Sequence, residues 1–196
     1  MYGRGRGSIL TLRITGGEHR GRRFSLPRGS DLRPTSDRVR GAVFSILGVE
    51  VVKGARALDL YAGSGALGLE ALSRGAASVD FVEANRRRCF QIREALTALG
   101  LSELGSVHNG RVERILETLE GEYGLAFADP PYALTDWDWL MRALNRPGFM
   151  DSRGIVVAEH RHSTEMADEY GKLFLVTRRR YGDTAISIYA GGELDG

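Results

Sequence analysis

Two short segments of this 196-residue chain combine residue types that can carry chemistry. The first runs from Asp59 to Gly68 and reads Asp-Leu-Tyr-Ala-Gly-Ser-Gly-Ala-Leu-Gly. Its glycines let a ligand approach the backbone closely, and the free N–H groups at the start of a helix can bind that ligand. Glu83 follows Gly63 by twenty positions, a spacing at which an acidic side chain can accept both hydroxyls of a ribose. The pattern predicts a site for a nucleoside-bearing cofactor.

The identity of that cofactor depends on Asp59. The spacing of Gly63, Gly65 and Gly68 also matches the fingerprint of dinucleotide-binding loops. A carboxylate beside the loop would repel a pyrophosphate, whereas it can pair with the cationic amino end of S-adenosylmethionine. The segment therefore favours the methyl donor S-adenosyl-L-methionine over NAD.

The second segment is Asp129-Pro130-Pro131-Tyr132, directly after the apolar run Leu125 to Ala128. Two prolines fix the backbone and remove two N–H donors, so carbonyl groups stay available as acceptors. The Asp129 carboxylate and the Pro130 carbonyl can accept the two hydrogens of an exocyclic amino group and so orient its nitrogen. Tyr132 can stack on the base that carries this group. The segment therefore predicts a catalytic site that orients an amino group for methylation.

The elements around both segments predict an α/β fold. From Arg56 onward, buried strands and helices alternate, which indicates a parallel sheet covered by helices on both faces. Leu173–Arg180 and Thr184–Tyr189 are separated only by a tight turn, so they predict an antiparallel pair at the end of the sheet. Before this unit, two short runs around Gly16-Gly17 predict a β-hairpin, and a helix runs from an N-cap at residues 35–37 to Gly48.

Charge divides the chain into two parts. The first 40 residues carry ten arginines against three acidic residues, a net charge of +7, whereas the rest of the chain carries −5. We expect a basic N-terminal arm over residues 1–34 and a catalytic domain over residues 35–196. The single cysteine, Cys89, excludes an intrachain disulfide. No apolar run has the length of a membrane span or a signal peptide, so we expect a cytoplasmic protein.

His160 and His162 would share one face of a strand, but no third ligand accompanies them, so we expect no metal.

The motifs together resemble the RsmD-type methyltransferases, which act on guanine N2 of bacterial 16S rRNA and belong to the class I S-adenosylmethionine-dependent enzymes. The resemblance covers nearly the whole chain, and its most specific part is Arg33-Pro34-Thr35-Ser36-Asp37-Arg38-Val39-Arg40. It implies a Rossmann-like, mostly parallel seven-stranded sheet with an antiparallel last strand, preceded by the hairpin arm. It also implies methylation of one guanine N2 in 16S rRNA, on an assembled or partly assembled small ribosomal subunit, by a monomer.

The residues expected at each site follow from the motifs and the resemblance. For catalysis we expect Asp129, Pro130, Pro131 and Tyr132. For cofactor binding we expect Asp59, Tyr61, Ala62, Gly63, Ser64, Gly65, Glu83, Ala84, Arg111 and Val112. For RNA binding we expect Arg13, Arg20, Arg22, Arg23, Arg33, Thr35 and Arg38. The family carries an acidic residue after its third strand for the adenine; here Asn109 or the backbone near Arg111 takes its place.

Two alternatives stay open. An Asn/Asp-Pro-Pro-Tyr segment also serves enzymes that methylate DNA adenine N6 or a protein glutamine. A non-catalytic RNA-binding module with a vestigial cofactor fold is the other, and it predicts no binding of a methyl donor.

Overall fold

A computed structural model describes residues 9–27, 36–131 and 136–192 of the chain. Its strands are β1 (Ile9–Arg13), β2 (Arg23–Pro27), β3 (Arg56–Leu60), β4 (Ser78–Glu83), β5 (Gly105–Asn109), β6 (Tyr123–Ala128), β7 (Met150–Arg161), β8 (Glu169–Tyr170), β9 (Leu173–Tyr181) and β10 (Thr184–Gly191). Its α-helices are α1 (Asp37–Val52), α2 (Ala66–Ser73), α3 (Arg86–Leu99), α4 (Val112–Thr118) and α5 (Trp137–Leu144). None of the helices in the described part of the chain is long and apolar enough to cross a membrane.

The main sheet has the order β5-β4-β3-β6-β7-β10-β9-β8. Strands β5, β4, β3, β6 and β7 are parallel, and β10 is antiparallel to both of its neighbours. This confirms the Rossmann-like α/β prediction with an antiparallel last strand. The predicted number of seven strands is wrong by one, because the two-residue strand β8 pairs with the edge of β9. A strand this short shows no alternation of apolar residues in the sequence.

The sheet places three strand ends side by side at its centre. Leu60, the last residue of β3, pairs with Val82 of β4 on one side and with Ala128 of β6 on the other. The chain passes from β3 to β4 on one side of β3 and later returns to β6 on its other side. Ligands of open α/β sheets bind at the carboxyl ends of strands where the order reverses in this way. The segments that follow β3, β4 and β6 therefore share one edge of the molecule.

Helices cover both faces of the sheet, as the alternation of strands and helices along the chain predicts. One apolar cluster contains Phe81 and Phe127 from the strands and packs against α1, α2 and α3. The other contains Leu58 and Val82 and packs against α4 and α5. Successive residues of a strand point to opposite faces, so strands this apolar in sequence are buried on both sides.

Helix α1 starts as predicted and ends later than predicted. Ser36 caps it, with its hydroxyl accepting a hydrogen bond from the Val39 N–H at 3.3 Å. At Gly48 the backbone leaves helical geometry, with φ 75° and ψ 173°, but helical turns resume and continue to Val52. The predicted end at Gly48 is therefore a break inside the helix. The second part persists because the Val52 side chain is buried in the core.

The N-terminal hairpin forms as predicted and packs onto the domain. Strands β1 and β2 are antiparallel, and Leu12 and Phe24 face each other across them. Both side chains and Ile14 are buried in the same apolar cluster as α1 and α2. The connection runs over the end of α2, where the Glu18 N–H donates to the Ser73 carbonyl at 2.7 Å. The described part of the basic arm is thus fixed to the catalytic domain.

Candidate active site

The glycine-rich loop after β3 depends on left-handed backbone geometry. Tyr61, Gly63 and Gly65 have φ values of 56°, 55° and 72°, and Gly65 is the N-cap of α2. A left-handed conformation is rare for a bulky residue such as Tyr61 and indicates a functional constraint. Two hydrogen bonds brace the loop, from the Ala62 N–H to the Val82 carbonyl and from the Gly65 N–H to the Ala62 carbonyl. The result is a tight, preformed turn between β3 and α2.

Gly68 explains the third glycine of the pattern. A Cβ on Gly68 would overlap the ring of Phe81 in β4. This glycine therefore serves the close packing of α2 on the sheet rather than contact with a ligand.

Glu83 closes β4 and reaches back to this loop. Its Oε2 accepts a hydrogen bond from the Gly63 N–H at 2.8 Å, and its Oε1 accepts one from the Asn85 N–H at 2.7 Å. The side chain is almost fully buried, and Arg88 lies 4.0 Å away. Each carboxylate oxygen can accept a second hydrogen bond. Glu83 therefore retains the capacity to accept two ribose hydroxyls beside the loop.

Asp59 lies beneath the loop, and its side chain is buried. Its Oδ2 accepts a hydrogen bond from the Gly68 N–H at 2.9 Å, which ties β3 to the first turn of α2. Burial raises the pKa of Asp59 to about 7; the Gly68 hydrogen bond lowers this pKa and repulsion by Glu83 raises it. Two carboxyl groups next to one loop disfavour a further anion and favour a group of positive charge.

The Asp129-Pro130-Pro131 segment leaves β6 next to Tyr61. The Asp129 N–H lies 3.5 Å from the Leu60 carbonyl, so the two segments start side by side. Asp129 is half-buried, Pro130 is buried and Pro131 is exposed. Tyr132, the fourth predicted catalytic residue, lies outside the described residues.

Tyr61, in the loop after β3, carries a buried hydroxyl group. Within the described part of the chain, this buried hydroxyl has no hydrogen-bond partner. Burial, together with repulsion by Glu113, raises the pKa of Tyr61, so its hydroxyl keeps its proton and can donate to a ligand. An orphaned donor beside a loop of this kind indicates that a polar group of the ligand binds there.

The segment after β5 carries the predicted cofactor residues Arg111 and Val112. Arg111 is exposed and is the N-cap of α4 without a capping side-chain hydrogen bond, while Val112 is buried. Asn109 donates its amide to the carbonyls of Glu83 and Ala84, both at 3.1 Å. This side chain therefore positions the end of β4, where Glu83 and the exposed Ala84 flank the loop.

The predicted RNA-binding arginines within the described residues are exposed. They are Arg13, Arg20, Arg22, Arg23 and Arg38. Arg13 lies 3.6 Å from Asp37, and a guanidinium nitrogen of Arg22 lies 3.5 Å from His19. Arg33 and Thr35 fall outside the described residues.

The expectation that His160 and His162 share a strand face is wrong. Strand β7 ends at Arg161, and His162 follows it. His160 is buried and is hydrogen-bonded to the Ser187 hydroxyl and the Arg161 carbonyl, both at 2.8 Å. Burial lowers the pKa of His160, with an opposing effect of the Arg161 carbonyl and a further lowering by Arg178. His160 is a neutral core residue.

Sequence reasoning missed a buried network that joins the arm to α2. Glu70 is fully buried and accepts hydrogen bonds from the Thr15 N–H, the Thr15 hydroxyl, Arg40 and Arg74, at 2.8 to 3.2 Å. Arg40 is also buried and bonds to Asp37 and to the Arg13 carbonyl. The sequence contained a clue, because Glu70 is the single charged residue of the apolar helix α2.

The fold matches solved structures that are described as methyltransferases. The Escherichia coli protein yhhF has a solved structure with a TM-score of 0.84 and 29% sequence identity, covering 93% of this chain and 99% of that one. The structure of SMU.776 complexed with SAH has a TM-score of 0.71 and 16% identity, covering 96% of this chain and 58% of that one. At that identity the second match shows the fold alone. Fold and site together define a Rossmann-like methyltransferase.

Sequence comparison narrows this class to one family. The family model for conserved hypothetical protein 95 matches residues 12–190. Ribosomal RNA small subunit methyltransferase D of Escherichia coli (strain K12) is 32% identical over 187 residues, which cover 94% of this chain and 93% of that protein. YlbH of Bacillus subtilis (strain 168) is 32% identical over 181 residues, covering 91% and 98%. The chain belongs to this family, the RsmD-type rRNA methyltransferases.

Proposed function

We propose that this protein transfers a methyl group from S-adenosyl-L-methionine to the exocyclic N2 of a guanine in 16S rRNA. One observation carries the proposal: the glycine-rich loop, Glu83 and the Asp129-Pro130-Pro131 segment meet at the ends of three adjacent strands. A cofactor site and an acceptor site for an amino group then share one edge of the sheet. Methyl transfer needs this proximity above all, because its rate depends on positioning the two reactants.

The residues around the loop fit S-adenosyl-L-methionine. The carboxylate of Glu83 retains acceptor capacity for the ribose, and Asp59 supplies negative charge for the amino end of the cofactor. The neighbour SMU.776 binds SAH on the same fold, which supports this cofactor here. When bound, the cofactor supplies an electrophilic methyl group. The other cofactor contacts of the loop are Ala62, Ser64 and the N–H groups at the start of α2.

The acceptor site is built from the segment after β6. The Asp129 carboxylate and the Pro130 carbonyl accept the two hydrogens of the guanine amino group and orient its nitrogen. Their hydrogen bonds strengthen as the nitrogen gains positive charge, so these acceptors favour the transition state over the ground state. A separate general base is unnecessary, because the proton leaves after transfer. Tyr132 stacks on the base, which is flipped out of the RNA.

The basic arm supplies the RNA-binding surface. Its exposed arginines bind phosphates and hold the RNA in register without reading its sequence. A relative at 32% identity is named as a small subunit methyltransferase, which supports 16S rRNA as the substrate.

The experiment is transfer of tritiated methyl groups from S-adenosyl-L-methionine to 30S particles, 16S rRNA, 50S particles and DNA. We expect labelled N2-methylguanosine in 16S rRNA with the wild type. Asp129→Ala should abolish the label while leaving cofactor affinity within twofold of wild type. Asp183→Ala, on the exposed turn between β9 and β10, is the matched control and should transfer normally. Label in adenine, in glutamine or in 50S particles would refute the assigned substrate, and absence of cofactor binding would favour the binding-module alternative.

A further inference from the structure

Helix α3 presents an exposed surface made of Arg86, Arg87, Phe90 and Arg93, here called the α3 surface. Phe90 is 60% exposed, and among the described residues it is one of three large apolar side chains that are at least 60% exposed. The opposite face of α3 is apolar and packs into the core through Cys89, Ile92 and Leu96. The α3 surface is therefore the outward face of a well-packed helix.

The helical period brings these side chains together. Arg86 and Arg87 precede Phe90 by four and three positions, and Arg93 follows it by three. Side chains at these spacings are neighbours on a helix surface. Arg93 is held in place, since its guanidinium donates to the Val107 carbonyl at 2.6 Å. Within residues 9–27, 36–131 and 136–192, no side chain forms an ion pair or hydrogen bond with the Arg86 or Arg87 guanidinium.

The charges of Arg86 and Arg87 do not stabilise α3. Positive charges in the first turn of a helix oppose its macrodipole, and α3 has no acidic residue in that turn. Asn85 already caps the helix, since its side chain accepts from the Arg87 and Arg88 N–H groups. Arg88, in contrast, is half-buried and lies 4.0 Å from Glu83. As far as the described residues show, the Arg86 and Arg87 guanidinium groups and the exposed Phe90 ring are thus available to a ligand outside the chain.

The position of α3 indicates which ligand. The helix begins three residues after Glu83, at the edge of the sheet that carries the candidate active site. Strand β2 of the basic hairpin lies against α3, so the basic arm and the helix that carries the α3 surface are neighbours. Arginines interleaved with an exposed aromatic ring are typical of surfaces that bind single-stranded nucleic acid.

We propose that the α3 surface is a second RNA contact, separate from the hairpin. Arg86 and Arg87 bind phosphates, and Phe90 stacks on an unpaired base of the same rRNA near the methylated guanine. An unpaired base is specified because bases inside a duplex offer no free face for stacking. This inference rests on the proposed function, because it takes rRNA as the substrate.

The test compares variants in two separate measurements, RNA binding and methyl transfer. The binding variants are Arg86→Ala/Arg87→Ala, Phe90→Leu and Phe90→Tyr. The matched control is Arg153→Ala/Arg179→Ala, which removes two exposed arginines from β7 and β9. Thermal melting and the affinity for S-adenosyl-L-methionine verify that each variant is folded with an intact cofactor site. Affinity for 16S rRNA is measured from 50 to 300 mM salt, and KM and kcat are measured with 30S particles.

We expect the double arginine variant to reduce the slope of log K against log salt by about 1.4, or roughly 0.7 for each phosphate contact in a single strand. Phe90→Leu should raise the KM for 30S particles about fivefold or more, the lower end of the contribution of one base stacked on an aromatic ring. Phe90→Tyr keeps the ring and should stay within twofold of wild type. The control should leave the KM unchanged.

Three outcomes would overturn the proposal. The first is an unchanged salt slope and an unchanged KM in the α3 variants. The second is a loss of cofactor affinity with normal RNA binding, which would assign the surface to the cofactor site. The third is RNA binding weakened equally by the control. Because binding is measured apart from transfer, a wild type that binds rRNA without methylating it would refute the proposed function and leave the α3 contact standing.

Discussion

Replacing Glu70 with alanine tests whether the buried network fastens the N-terminal hairpin to the domain. The substitution removes the acceptor of four hydrogen bonds and leaves the Thr15 N–H without its partner. It also removes a carboxylate partner from the guanidinium of Arg40, whose side chain is 1% exposed and also contacts Asp37. Removing one member of a buried ion pair costs about 3 to 5 kcal/mol.

The lower half of this range fits the geometry of the network. The side chain of Arg74 is 25% exposed, so water takes the place of its lost bond to Glu70. The Arg40–Asp37 bond at 2.9 Å survives the substitution. We therefore expect Glu70→Ala to lower the free energy of unfolding by about 3 kcal/mol. Domains of this size are stable by roughly 5 to 15 kcal/mol, so the variant should fold with a much reduced margin.

The assay is urea unfolding followed by circular dichroism at pH 7. Glu117→Ala, on the exposed face of α4, is the control and should change stability by about 0.5 kcal/mol or less. The double variant Arg40→Met/Glu70→Leu should be more stable than Glu70→Ala, because apolar side chains of similar volume replace both buried charges. Amide exchange at Thr15 should accelerate more than exchange in β6. A loss below about 1 kcal/mol in Glu70→Ala would refute the reasoning, since a buried charge would then have cost almost nothing.

Three further predictions concern titration and packing. Because the pKa of Asp59 is raised to about 7, affinity for S-adenosyl-L-methionine should rise from pH 6 to 8, and calorimetry should find no such rise in Asp59→Asn. The same raised pKa should make the stability of wild type, relative to this variant, fall as the pH rises from about 4 to 7. Burial raises the pKa of Asp80, but hydrogen bonds from His108, Tyr123 and Arg56 lower it by more, so the pKa of Asp80 lies below its usual value. The stability that Asp80 contributes is therefore complete above about pH 4 and is lost as the pH falls through its lowered pKa, so urea midpoints of Asp80→Asn should depend less on pH below 4 than those of wild type. Gly68→Ala should lower stability by about 1 to 3 kcal/mol in urea unfolding, because its Cβ would overlap the Phe81 ring; a neutral effect would show that α2 can shift on the sheet.

Local sequence patterns were sufficient to predict most of the helices and strands and the order in which they occur. Short, mainly apolar runs that alternate with helical segments indicate strands buried on both faces, which is why β3, β4 and β6 were predictable. The loop between β3 and α2 was predictable because glycine favours turns with positive φ. Three residues of this loop have positive φ, and two of them are glycines. Strand β8 was missed because a two-residue strand leaves no pattern.

The sequence by itself determined the positions of three carboxylates in the parallel sheet: Asp59 is the penultimate residue of β3, Glu83 ends β4 and Asp129 follows β6. Adjacent parallel strands end at the same edge, so these carboxylates had to meet there. Only the tertiary structure decided the partners. It paired Glu70 with Arg40, thirty residues away, and with Thr15, fifty-five residues away. It also placed strand β2 of the hairpin against α3. Such contacts depend on the angle at which helices pack on the sheet, which side-chain volume across the whole core sets and which no local pattern encodes.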